Sequence, residues 1–87
     1  MTKNISVVRL WIANKSRRWP KLLLDRYNAN LDCKDTDTIK YWIECFTNGH
    51  HGGIIYVNRN TLEVGDGNHR LVAAYISNKP TLQVIFT

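Results

Sequence analysis

Apolar and polar positions along this chain follow two periods, and the switches between them mark its elements. Ile5-Ser6-Val7-Val8-Arg9-Leu10 is rich in β-branched residues and predicts a first strand. Lys21-Leu22-Leu23-Leu24-Asp25-Arg26-Tyr27 predicts a helix with Asn14 or Ser16 as its cap, Pro20 tolerated in the first turn and Asn28-Ala29-Asn30 at its end. From Asp35 to Asn48, Ile39, Trp42, Ile43 and Phe46 recur on one helical face. Asp35, Thr36 and Asp37 offer that helix cap oxygens and negative charge at the positive end of its dipole, and Gly49 offers the stop. Gly53 to Val57 is strongly β-forming, Asn58-Arg59-Asn60 is turn chemistry, and Leu62-Glu63-Val64 returns as a hairpin. Gly65-Asp66-Gly67-Asn68 is predicted to leave the strand. His69 to Ser77 is helical until Asn78-Lys79-Pro80 breaks it, and Leu82, Val84 and Phe86 alternate with polar or outward positions in a last strand. The order β-α-α-β-β-α-β predicts an α/β domain of mixed α+β type, a small mixed sheet with packed helices.

With 87 residues, 44% of them hydrophobic, the chain has material for one core and is expected to fold as a single domain over residues 1–87. It has no run of about 18 apolar residues to cross a membrane and no secretory leader pattern, so the cytoplasm is the expected compartment. Cys33 and Cys45 match no zinc spacing, which argues against a structural metal, and both are expected to be reduced. The formal charge of +5 is unevenly placed: residues 1–27 hold seven Lys and Arg against Asp25 alone, while residues 28–87 hold five basic and six acidic side chains. So dense a basic segment either attracts nucleic acid, nucleotide or an acidic protein, or is a solvated face.

Candidate chemistry concentrates in Val64-Gly65-Asp66-Gly67-Asn68-His69-Arg70-Leu71. A strand runs into two glycines and a helix opens directly behind them. The first helical N–H groups lack intrahelical partners and the dipole adds positive charge, which together suit a phosphate. His69 would add a proton-bearing ring and Arg70 a planar fork. Asp66 would hold Arg70, cap the helix, or ligate a Mg²⁺ accompanying a nucleotide. The plainer alternative is a strand–turn–helix corner with Asp66 or Asn68 as cap. His50-His51-Gly52-Gly53 would either line the same pocket or form an exposed polar loop. Trp11, Arg17, Arg18 and Trp19 interleave cations and aromatics as single-strand binders do, although indoles in so small a chain more often belong to the core, Trp42 above all.

Gly67-Asn68-His69-Arg70-Leu71-Val72-Ala73-Ala74-Tyr75 resembles the nucleotide-binding helix start of the ParB/sulfiredoxin superfamily. Sulfiredoxins carry Gly-Cys-His-Arg there, ParB domains carry Gly-Glu-Arg-Arg-x-Arg-Ala, and small phage and plasmid relatives carry Asp-Gly-x-His-Arg-Leu-x-Ala-Ala. The resemblance is sharp over residues 53–87. It implies that Gly67, Asn68, His69 and Arg70 meet the phosphates of a bound nucleotide; Gly65 is expected to join them, and a nucleoside triphosphate with Mg²⁺ is the expected ligand. It departs from both relatives: Asn68 replaces the sulfiredoxin cysteine, which excludes sulfinic acid repair, and Arg70 alone remains of the ParB arginines.

Two functions are therefore expected as alternatives. In the first, the chain binds a nucleotide or nucleic-acid phosphate at the Gly67–Arg70 turn. Any turnover would be that of a nucleotide hydrolase, phosphotransferase or nuclease, with Asp66 holding metal or acting as base, His69 carrying the proton and Arg70 stabilising charge. In the second, it is a non-catalytic phage or mobile-element protein that docks on a host enzyme or nucleic-acid complex through Lys15, Arg17, Arg18, Trp19 and Lys21.

Overall fold

A computed structural model describes residues 2–87. The chain runs β1 (Lys3–Ser6), α1 (Val7–Asn14), α2 (Arg18–Asn28), α3 (Lys34–Thr47), β2 (Ile54–Val57), β3 (Val64–Asp66), α4 (Asn68–Ile76) and β4 (Thr81–Phe86). The four strands form one mixed sheet in the order β1-β4-β2-β3. β1 pairs antiparallel with β4, β4 parallel with β2, and β2 antiparallel with β3 across an irregularity at Tyr56 and Val57. The fold class expected from sequence is the one observed.

Helix α4 is the centre of the molecule. Leu71, Val72, Ala73 and Ala74 are fully buried in succession, as befits a helix covered all round rather than along one stripe. It packs against α1, α2 and α3, and Ile55, Val57, Val64, Leu82 and Val84 of the sheet join the same core. The alternate strand residues Ile54 and Tyr56 are exposed, so the helices occupy one face of the sheet.

Two expectations about boundaries are corrected. The strand predicted over Ile5 to Leu10 ends at Ser6, whose side chain accepts a hydrogen bond from the Arg9 N–H at 3.3 Å and caps α1. Val7, Leu10, Trp11 and Asn14 are the buried face of that helix; their three-one-three spacing outweighs the β propensity of Val7 and Val8. The return strand expected from Leu62 begins only at Val64, because Leu62, at φ +62°, and Glu63 still belong to the connection, and β3 continues through Gly65 to Asp66, which pairs with Tyr56.

Helix ends follow from local chemistry. Helix α2 starts after Arg17 rather than with Asn14 or Ser16 as its cap, and Pro20 falls in its first turn as expected. Helix α3 is preceded by Cys33 with no side-chain cap, so Asp35, Thr36 and Asp37 lie inside the first turn. Thr36 Oγ1, 3.3 Å from Cys33 Sγ, hydrogen-bonds the thiol and holds its pKa below the ordinary cysteine value. At its far end Gly49 adopts φ +87°, and the N–H groups of Gly49 and His50 reach Phe46 O and Cys45 O, a Schellman closure. Asn30 and Asn78 close α2 and α4 in the same way.

Asn14 locks the second hairpin strand to the helices. It is fully buried, and its amide donates to Leu10 O at 2.7 Å and Leu62 O at 2.9 Å while accepting from Val64 N and Arg17 Nη1 at 2.9 Å each. That exhausts the capacity of an Asn side chain. Arg17 Nη1 also donates to Val64 O at 2.9 Å. Both backbone groups of Val64 on the β3 edge are thereby taken by side chains. Asn14→Ala leaves the Val64 N–H and the Leu62 carbonyl without partners, at about 1–3 kcal/mol each. Urea unfolding is expected to show a loss of about 3 kcal/mol; a loss below about 1 kcal/mol would mean that these bonds are replaced.

Candidate functional site

The turn between β3 and α4 is built for close approach. Gly67 is the N-cap of α4 at φ +111°, and no side chain caps the helix. A Cβ there would collide with Ile55, so the position needs glycine for both backbone and space. The first intrahelical bond runs from Leu71 N to Gly67 O at 2.9 Å. The N–H groups of Asn68, His69 and Arg70 therefore have no acceptor within the helix. Asn68 is about nine-tenths buried, and its Oδ1 has no hydrogen-bond partner. Neither Asp66 nor Asn68 caps the helix, contrary to the plainer expectation. Asp66 is exposed and forms no ion pair among the described residues.

His69, on the first turn of α4, meets α2 and α3. Its Nε2 lies 2.9 Å from Asp35 Oδ1, and Arg26 Nη1 donates to the other carboxylate oxygen of Asp35. An ionised carboxylate only accepts, so Nε2 carries the proton and Nδ1 is the ring nitrogen left over. Asp35 is depressed below the ordinary aspartate range, first by the His69 hydrogen bond and then by Arg26, against an opposing effect of burial. Trp19 stands edge-on to His69 with centroids 6.2 Å apart, and the Arg26 guanidinium lies 6.0 Å from the Trp19 ring centre. Sequence reasoning assigned Asp35 to a cap and missed this role. Its partner is 34 positions away and no local pattern announces it.

Arg70 is turned toward the loop before β2. Its Nη1 donates to Gly52 O at 2.9 Å and Ile54 O at 3.2 Å, and its guanidinium lies 5.4 Å from the ring centre of Trp42. A Cβ on Gly67 would lie 3.7 Å from Arg70 Nε, so the charge stands beside the turn while the side chain clamps the neighbouring loop. It does not pair with Asp66. His50 and His51 are exposed, and their Nδ1 atoms accept from the N–H groups of Gly52 and Gly53. They shape this loop rather than converge on the turn. Trp42 is half-buried against the core and Trp11 is stacked on Tyr75.

The basic segment divides. Arg17 is bonded to Asn14 and Val64, whereas Lys15, Arg18 and Lys21 are exposed and Trp19 is 40% exposed. Through Trp19 and His69 that exposed basic face adjoins the turn. Gly65 belongs to β3, two residues before the N-cap of α4, and lines a cavity with Arg17 and Tyr56. Among the described residues, no three His, Cys, Asp or Glu side chains gather to hold a metal, and no helix is long and apolar enough to cross a membrane.

Because the folded pKa of Asp35 lies below its unfolded value near 3.9, the stability it contributes is full above about pH 5 and is lost as pH falls through the folded value. The stability gap between the parent chain and Asp35→Asn is expected to shrink as pH falls below 4. A gap independent of pH down to 2 would contradict the ionised pair. No family model, curated protein or solved structure matches the chain.

Proposed function

We propose that this chain is a small nucleotide-binding domain of ParB/sulfiredoxin-like type that takes the phosphates of its ligand at the start of α4. The observation that carries the reading is the uncapped, glycine-led helix start, whose first three N–H groups have no acceptor within the helix. The Arg70 charge beside it adds electrostatic attraction. His69, with Nε2 held by Asp35, is the proton carrier nearest this turn should a phosphate be transferred. Arg70 contributes charge and loop position, its Nη1 being spent on the backbone. A Mg²⁺ arriving with the phosphates would meet Asp66 as a single carboxylate, which suffices for an ion that keeps most of its water.

Pyrophosphate and nucleoside di- and triphosphates, with and without Mg²⁺, test this by calorimetry and thermal unfolding. At about a hundred times Kd a ligand adds about 2.7 kcal/mol, which raises the melting point of so small a domain by about 10 °C or more. Asn68→Asp, which adds a negative charge at the first residue of α4, is expected to abolish the shift, and His69→Ala to weaken it. No shift with any phosphate ligand, or an unchanged shift in Asn68→Asp, would refute the assignment.

A second reading, docking of an acidic partner or nucleic acid on the basic face, is favoured by one observation. Val8 and Ile12 are more than 60% exposed on α1 while Lys15, Arg18 and Lys21 are exposed nearby in the chain. Reversing Arg18 and Lys21 to Glu is expected to abolish binding to single-stranded DNA or to a host protein partner while leaving pyrophosphate binding in place. Retention of both would remove this surface from consideration.

A further inference from the structure

A cavity of about 240 Å³ opens beside β3, where Arg17, Tyr56, Asn58, Glu63 and Gly65 meet. Nothing in the phosphate-binding turn uses it. Arg17 is fixed there through Nη1, which donates to Asn14 Oδ1 and Val64 O. Its Nε and Nη2 edge makes no hydrogen bond within the protein among the described residues. Glu63 Oε2 lies 3.7 Å from Nε, beyond hydrogen-bond reach, and both side chains are partly exposed at 34% and 50%. So loose and exposed a pair holds little energy. The Tyr56 side chain, 44% exposed, supplies an aromatic wall.

The two charged groups stand side by side with opposite hydrogen-bonding sense, a donor fork next to an acceptor pair. Guanine presents the complement: O6 and N7 accept on one edge, and N1–H and the 2-amino group donate on the next. An arginine fork reads O6 and N7, a carboxylate accepts from the adjacent donors, and an aromatic ring stacks on the base. Adenine places its amino donor where the fork needs an acceptor. The volume is below the roughly 300–1,000 Å³ of complete small-molecule sites, which suits a base rather than a whole nucleotide. Gly65 lines the cavity and Gly67 caps α4 two residues on, about 7 Å at strand rise. We infer that this cavity is the base subsite of the nucleotide whose phosphates sit at α4, and that it selects guanine. The inference rests on the phosphate reading above.

Calorimetry of the whole chain with GDP, ADP, CDP, UDP and pyrophosphate separates the two. GDP is expected to bind at least about tenfold more tightly than ADP, the order expected of one bidentate base contact. Glu63→Gln and Tyr56→Ala, at exposed positions and checked for folding by circular dichroism, are expected to remove most of that preference while leaving pyrophosphate affinity unchanged. Equal affinity for all four diphosphates with pyrophosphate binding intact would overturn the base subsite and leave the phosphate site standing. A guanine preference that survives both substitutions would place the base elsewhere. Absence of pyrophosphate and nucleotide binding alike would remove both claims.

Discussion

Burial of α4 is the constraint on which the rest of the structure depends. A helix with four consecutive residues fully enclosed must be covered by the sheet on one side and by α1, α2 and α3 on the others. Its flanks then offer little to a ligand, and its start is where its backbone polarity becomes available. That start is reached from β3 through Gly67, whose positive φ and lack of Cβ let the chain turn tightly over Ile55. The same packing that stabilises the domain therefore leaves the helix start uncapped, with N–H groups that have no acceptor within the helix.

Two polar assemblies hold this arrangement in place. Asn14, with all four hydrogen-bonding positions filled, ties the end of α1 to β3 and aims Arg17 along the sheet edge. Asp35 joins α2 and α3 to the first turn of α4 through Arg26 and His69. Each joins elements distant in the chain, and removing either leaves polar groups unpaired in partly dry surroundings, where that is most costly. Arg70 adds a third tie, from α4 to the loop before β2. In a domain of this size such ties carry much of the specificity that a larger core would supply.

The second half of the fold was legible in the sequence because its signals are local. The β-forming run at Ile54 to Val57, the glycines before Asn68 and the alternation at Leu82 to Phe86 each report on their own conformation. Helix α1 was not, because β-branched residues at Val7 and Val8 carry a strand signal that tertiary burial of Val7, Leu10 and Trp11 overrides. The turn as a candidate site was legible for the same reason as the strands. The allocation of its charges was not: Asp35 serves His69 rather than a helix cap, and Arg70 faces Gly52 rather than Asp66. Long-range partners of this kind leave no trace in spacing.

The reading of this protein turns on whether anions seat at the start of α4 rather than on the basic face of α1 and α2, since both attract phosphate over long range. Amide chemical-shift mapping with pyrophosphate at physiological salt decides between them residue by residue. The account predicts that the amides of Gly67, Asn68, His69 and Arg70 shift most and saturate together. Shifts that centre on Lys15, Arg18 and Lys21, with the α4 start unmoved, would contradict it.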